Sequence, residues 1–424
     1  MSEAHPTYPL LCLPAPLETV ESELPFSLRG VPSQATQYLS AWWRTRGALA
    51  RSAVQWQSSA LSPAVSRFML RQQALKVERD ALASSAAWRK SFGTLMHYVG
   101  SRAVVDGAEF VPTWYLNRGA TLLWYEAHGR CASVVGRDMK HSSPSLPFEG
   151  VMVAYARVAA AYNAAVLYFL EWANDGYAAQ MLMAASAAMR RATLALRELI
   201  DEVLPLHACV LDGTESHFFS AHFYELVLLN LLGCFTCIIE AAYVRRHVPA
   251  RHTDATVPAL YAKAYLCAEA LRTEVPLYAA AAERLQAFIG HRRKAALISL
   301  AAFLLDESRN VRVFYEDGAP CATGSRGDSA VHVEAYWCAL LAVSLDSESV
   351  QAAALLERAR ANLRTFSAAV PPDAASASVR LVVYEIDERV QPRIECRHSR
   401  PRRENPVLDA ALERTFVFYL DANN

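Results

Sequence analysis

From residue 34 to about residue 370, apolar positions recur every three or four residues, the spacing of one face of an α-helix. The clearest run is Phe148, Val151, Tyr155, Val158, Tyr162, Ala165 and Phe169, one continuous stripe over a helix at 148–173. Leu182, Ala185, Met189, Ala192, Leu196, Leu199 and Val203 repeat it over 177–204. Asn174-Asp175-Gly176 lies between the two, and a short polar turn with glycine predicts an antiparallel helical hairpin. Ala154, Ala160, Ala161, Ala164, Ala184, Ala187 and Ala188 occupy the remaining faces, so these helices are expected to pack on several sides. The same periodicity predicts helices at 34–58, 63–84, 85–101, 215–247, 257–274, 276–307, 328–346 and 348–368. Ser62 is expected as an N-cap with Pro63 in the first turn, and Asp328 after Gly327 as another cap.

Two regions, 104–126 and 379–386, break the helical rule, and the two ends of the chain differ from it as well. Residues 1–32 are punctuated by Pro6, Pro9, Pro14, Pro16, Pro25 and Pro32, which predicts an extended segment running over a surface. Residues 104–126 mix Val104-Val105, Phe110-Val111 and Leu122-Leu123-Trp124-Tyr125 with Gly107, Pro112 and Gly119, the pattern of a short hairpin or irregular insert. Residues 379–386 are β-rich and follow Pro371-Pro372; residues 406–420 form a last amphipathic piece. The expected fold is all-α: packed antiparallel helical hairpins, with strand confined to short pieces near 104–126 and 379–386. No fixed 34-residue tetratricopeptide consensus occurs, although the hairpin rhythm is similar.

Composition narrows the function classes. The chain has 424 residues, 53% of them hydrophobic, enough for a large core. Lys+Arg and Asp+Glu balance at 42 each, so no net charge favours nucleic acid, and that partner is not expected. The nine cysteines are odd in number and irregularly spaced, the usage of reduced thiols in a reducing compartment. Cys234 and Cys237 form a CxxC, but inside the apolar run Leu231–Ile239, where plain core cysteines are expected. The start carries Glu3 and only a short apolar run, unlike a secretory leader. The most apolar run, Leu226 to Ile239, falls short of the roughly 20 residues a membrane span requires and predicts a buried helix.

Catalytic motifs are missing: no Gly-Lys-Ser/Thr, GxGxxG, GxSxG, HExxH or DDxxD occurs. The one Glu-x-x-His, Glu395 to His398, lies in an Arg/Pro-rich stretch rather than on a helix. No enzyme, cofactor or metal is expected. His217 and His222, and His247 and His252, sit five apart, which does not stack two ligands on one helix face. Two basic clusters remain, His291-Arg292-Arg293-Lys294 and Arg397, Arg400, Arg402 and Arg403. They read either as solvated, salt-bridged surface or as contacts to acidic lipid headgroups or an acidic partner.

The order of segments resembles the BRO-one domain, the boomerang-shaped helical domain of ALIX and its relatives in the ESCRT system. Leu24-Pro25-Phe26-Ser27-Leu28 is similar to the family's opening segment. Tyr162-Asn163 stands where the family has Phe-Asn, and Ala184-Ala185-Ser186-Ala187-Ala188-Met189 where it has an alanine-rich helix. Leu226 to Ala241 occupies the place of its long central helix. His291–Lys294 matches its basic helix, Gly327-Asp328-Ser329-Ala330 its Gly-Glu-Glu-Ile start, and Arg403-Glu404-Asn405 its Lys-Asp-Asn. Leu231-Leu232-Gly233-Cys234-Phe235 departs from the family's Ala-Gln-Ala-Gln-Glu, and Val407-Leu408-Asp409 from its Ile-Tyr-His.

The resemblance implies an elongated helical domain over 24–410, after an extended segment at 1–23 and before a tail at 411–424. It implies a non-enzymatic adaptor that binds the amphipathic C-terminal helix of an ESCRT-III subunit, in the cytoplasm or peripherally on endosomal membranes. Met189, Leu196 and Leu199 lie nearest the family's apolar partner patch, although they also fit the core stripe of 177–204. Arg292, Arg293 and Lys294 would touch an acidic membrane or partner. A tetratricopeptide-like adaptor with unrelated protein clients is the other reading.

Overall fold

The computed structural model describes residues 10–17, 33–106, 122–125, 131–132, 140–143, 146–174, 178–205, 224–247, parts of 260–271, 280–306, 311–314, 327–365 and 383–386. The fold is all-α with minor β pieces. Contacts divide it into two compact units, Met1–Leu232 with Glu274–Gln286, and Gly233–Thr273 with Ala287–Asn424.

In the first unit, helices α1 (Ser33–Leu61), α2 (Arg67–Asp106), α3 (Leu146–Asn174) and α4 (Ala179–Glu198) pack in succession, each against the next. A single turn of π-helix, Leu199–Val203, extends α4. The spacing rule explains each helix. Leu39, Trp42, Leu49, Ala53, Trp56 and Ala60 are buried along α1, and Leu70, Ala74, Val77, Ala81, Trp88 and Phe92 along α2. α3 is buried nearly all round, so it forms the middle of the unit. The stretch Pro147–Asn174 is long and apolar enough to cross a membrane, but its most apolar window is 94% buried within the fold, as a core helix is. Gly150 permits the closest approach of α2 to α3. A Cβ there would fall 2.4 Å from the Trp88 ring.

Two boundaries differ from expectation. The helices predicted at 63–84 and 85–101 are one helix of 40 residues, about 60 Å long at 1.5 Å per residue. Ser84 and Ser85, where the break was expected, are buried small residues that continue the core stripe, with no glycine or proline to end the helix. The cap of α2 is Ser66 rather than Ser62: its Oγ accepts from the Met69 N–H at 3.3 Å, while residues 62–66 form the turn.

The larger correction concerns the N-terminus. Instead of running over a surface, Leu11–Pro16 are buried. Strand β1 (Leu10–Leu11) pairs in parallel with β4 (Cys131–Ala132). Strand β2 (Ala15–Pro16) joins β3 (Leu122–Tyr125) and β5 (Lys140–Ser143) in a three-stranded antiparallel sheet. Polar side chains on the helices' apolar stripes hold the segment. Asn163 accepts from the Leu11 N–H at 2.7 Å and donates to the Leu11 carbonyl at 2.9 Å. Gln57 donates to the carbonyls of Leu13 at 2.7 Å and Tyr125 at 2.9 Å. Arg46 donates to the Leu17 carbonyl at 3.1 Å. A buried backbone group without such a partner would cost about 1–3 kcal/mol, so these three side chains make burial of the strand feasible.

In the second unit, Ala296, Leu297, Leu300, Ala301 and Leu304 of α6 (Ala280–Asp306) form a core with Ala335, Tyr336, Ala339 and Ala342 of α7 (Gly327–Leu345). Ala352, Leu356, Ala359 and Leu363 of α8 (Val350–Thr365) complete it. Ser349 caps α8 through its Oγ, 3.4 Å from the Ala352 nitrogen. α7 begins at Gly327, so Asp328 lies in its first turn rather than at the cap. α5 (Asn230–His247) follows a π-turn at Tyr224–Leu229. Strand β6 (Val311–Phe314), unforeseen in the sequence, pairs antiparallel with β7 (Val383–Ile386) inside the expected 379–386 region. The amphipathic piece expected at 406–420, the domain end expected at 410 and the tail at 411–424 lie outside the described residues.

Candidate functional site

The solvent side of the first unit carries a set of side-chain bridges between α2 and α4. α2 runs antiparallel to α3, with Arg71 beside Glu171 and Trp88 beside Gly150, and α4 runs parallel to α2, with Glu78 beside Arg191 and Arg89 beside Glu198. Long side chains bridge α2 and α4. Arg191 grips Glu78 with two hydrogen bonds of 2.6 and 3.1 Å. Arg89 reaches Glu198 at 2.6 Å and Glu202 at 2.7 Å, and Arg157 of α3 also donates to Glu198. The hydrogen bond to Glu78 raises the pKa of the Arg191 guanidinium above its ordinary value.

Between these bridges lie two exposed leucines. Leu82 follows Glu78 by one turn of α2, and Leu194 follows Arg191 by three residues on α4. They are 48% and 63% exposed. Arg190 and Arg197 are exposed beside Leu194, and neither makes an ion pair among the described residues. The two leucines and the bridges that flank them along α2 and α4 make up a strip, with Arg190 and Arg197 beside Leu194. An amphipathic helix with an acidic flank fits such a strip.

The expected partner residues are elsewhere. Met189 is 1% exposed, and Leu196 and Leu199 are 0%, all three packed in the core stripe of α4 and its extension. Met189, Leu196 and Leu199, expected as partner-binding residues, are therefore core residues: their apolar spacing marks the face turned to α3. The signal for Leu82 and Leu194 was present in the sequence, as leucines off that stripe.

The basic cluster is partly occupied within the second unit. Lys294 pairs with Asp346, whose own pKa is lowered by that hydrogen bond. Arg293 is half-buried with its guanidinium 5.8 Å from the Tyr265 ring centre. The side chain of Arg292 lies outside the described residues, as do Arg397, Arg400, Arg402 and Arg403.

The remaining titratable groups in the core hold structure. Glu149 accepts from Arg46 at 2.7 Å and from the Trp124 indole at 2.8 Å. Glu171 holds Arg71 through two bonds of 2.8 and 2.9 Å, and Arg71 also lies 4.3 Å from the Tyr168 ring centre. Among the described residues no group of three or more His, Cys, Asp or Glu side chains is placed to hold a metal ion.

Cys12, Cys131, Cys234, Cys237, Cys267 and Cys338 are buried and form no disulfide. Burial pushes the Cys237 thiol well above its ordinary pKa, with neighbouring Cys267 and Cys234 adding to the shift. Burial raises Cys267 as well. Thiolate is the reactive form, so Cys234 and Cys237 should label slowly with an aromatic disulfide reagent at pH 8 and react at once in denaturant. Rapid labelling at these two positions in the native protein, located by peptide mapping, would restore the redox reading of the CxxC.

No protein-family model and no curated protein matches this chain.

Proposed function

We propose that this chain is a non-enzymatic adaptor whose α2–α4 strip receives an amphipathic helix from a partner protein. The carrying observation is the pair of exposed leucines, Leu82 and Leu194, bracketed by the Glu78–Arg191 and Arg89–Glu198 bridges. Helix-in-groove recognition draws most of its energy from a few apolar anchors, with charges setting register and orientation. The segment order shared with BRO-one domains supports a particular client, the C-terminal helix of an ESCRT-III subunit, and with it a place in endosomal sorting or membrane remodelling. The hairpin pairs α1–α2 and α3–α4 support the second reading, a tetratricopeptide-like adaptor with unrelated clients.

The two readings separate in one titration. Fluorescent peptides of ESCRT-III C-terminal helices from the same organism should bind the full chain. The Leu82→Asp/Leu194→Asp variant should bind at least about tenfold more weakly, equivalent to roughly 1.4 kcal/mol, with unchanged helical circular dichroism. Binding of no such peptide removes the ESCRT client and leaves the general adaptor. Undiminished peptide binding by the variant places the ligand elsewhere and removes the strip.

A further inference from the structure

We propose that one end of the first unit, presenting Leu61, Phe68, Met69 and Met183, inserts into the headgroup layer of an anionic lipid bilayer. This inference does not rest on the adaptor reading. Leu61 ends α1 and Phe68 and Met69 open α2, so all three stand at the tip of one hairpin. Arg71 pairs with Glu171, which brings the start of α2 beside the end of α3. α4 begins a few residues later, which places Met183, in its first turns, at the same end. The four side chains are 50%, 54%, 49% and 59% exposed. The turn between the helices, Ser62-Pro63-Ala64-Val65-Ser66, contributes no charge. Large apolar side chains grouped at a helix-hairpin tip are costly in water and mark an interaction surface.

Charge selects the occupant. The sequence has no Asp or Glu between Glu23 and Glu78, whereas α1 and the start of α2 carry Arg44, Arg51, Arg67 and Lys76 besides Arg46 and Arg71, which are buried in ion pairs with Glu149 and Glu171. The nearby acids are largely consumed: Glu171 by Arg71 and Glu78 by Arg191. Asp80, one turn past Lys76, and Asp175, in the α3–α4 connection, remain in the sequence. Arg67 and Lys76 are exposed and make no ion pair among the described residues. Apolar side chains at the tip with cations set back along the helix match the cross-section of an anionic membrane surface, where acyl chains lie beneath phosphates. Single-stranded nucleic acid would want a series of exposed aromatics for stacking, and the tip offers Phe68 alone.

The test is flotation of the full chain with vesicles of equal parts phosphatidylcholine and phosphatidylserine, against phosphatidylcholine alone. Binding is expected only with phosphatidylserine, and it should weaken as salt is raised, because surface attraction is screened. Phe68→Asp/Met69→Asp should reduce it at least about tenfold, and Arg67→Glu/Lys76→Glu by a similar factor. Leu82→Asp/Leu194→Asp, which alters the α2–α4 strip, should float as well as the parent. Three results would overturn the proposal: no flotation with phosphatidylserine, equal loss in the strip variant, or unfolding of Phe68→Asp/Met69→Asp by circular dichroism. So would displacement of the vesicles by polyglutamate or single-stranded RNA at equal affinity, which would assign the cations to a macromolecular partner.

Discussion

Replacing Glu149 with alanine is expected to destabilise the first unit by about 3–5 kcal/mol, the usual penalty for stranding one member of a buried ion pair. Arg46 is 4% exposed and Glu149 0%. The carboxylate is shared between the Arg46 guanidinium and the Trp124 indole, and Arg46 also holds the carbonyl of Leu17. Without Glu149 the guanidinium keeps that carbonyl and its approach to the rings of Trp43 and Trp124, but no counter-charge remains. The measurement is urea unfolding followed by tryptophan fluorescence, which reports the first unit because every tryptophan but Trp337 belongs to it. Arg46→Met/Glu149→Met should recover much of the loss, since removing both charges also removes their desolvation cost. A loss below about 1 kcal/mol for Glu149→Ala would show that water reaches the pair and that strand β2 is held by other means.

That network shows why the helices were legible in the sequence and the N-terminal strands were not. Three-and-four spacing reports which face of a helix is buried, and it located α1, α3, α4, α7 and α8 within a few residues. It says nothing about polar residues on the same face. Arg46, Gln57 and Asn163 occupy stripe positions, where periodicity reads them only as interruptions. Their partners are backbone groups of Leu11, Leu13 and Leu17, which are distant in sequence. The prolines correctly signalled extended backbone at the described residues 10–17. Whether extended backbone lies in water or in a core depends on those distant partners. The same limit governs the proposed partner surface. Met189, Leu196 and Leu199 were apolar because they are core, whereas Leu82 and Leu194 carry the surface signal as exceptions to the stripe. The predicted break at residue 84 failed for a related reason. Two serines weaken helix propensity by a few tenths of a kcal/mol each, and burial of Ala81, Trp88 and Phe92 on either side outweighs that.

Tyr162→Ala should cost about 3–5 kcal/mol, the range for truncating a buried aromatic. Tyr162 is fully buried at the middle of α3, where Val158, Ala159, Ala161, Ala165 and Val166 are also at 0% exposure. Its neighbours are largely alanines on a helix packed from several sides, so the walls cannot collapse far into the space the ring leaves. The cavity term of about 24 cal/mol per Å³ then adds to the lost transfer energy. Tyr162→Phe removes only the hydroxyl and should cost about 1 kcal/mol. The size of the difference between the two substitutions separates loss of packing from loss of a polar contact. A second readout follows from position. Tyr162 precedes Asn163, whose side chain holds both backbone groups of Leu11. A cavity beside that residue should loosen strand β1 before the unit unfolds, so amide exchange at Leu11 should accelerate more than exchange along α1. If Tyr162→Ala costs less than about 1 kcal/mol, the face is solvated and the packing of α3 is wrong. If the full cost appears with no faster exchange at Leu11, Asn163 holds the strand independently of the core beneath it.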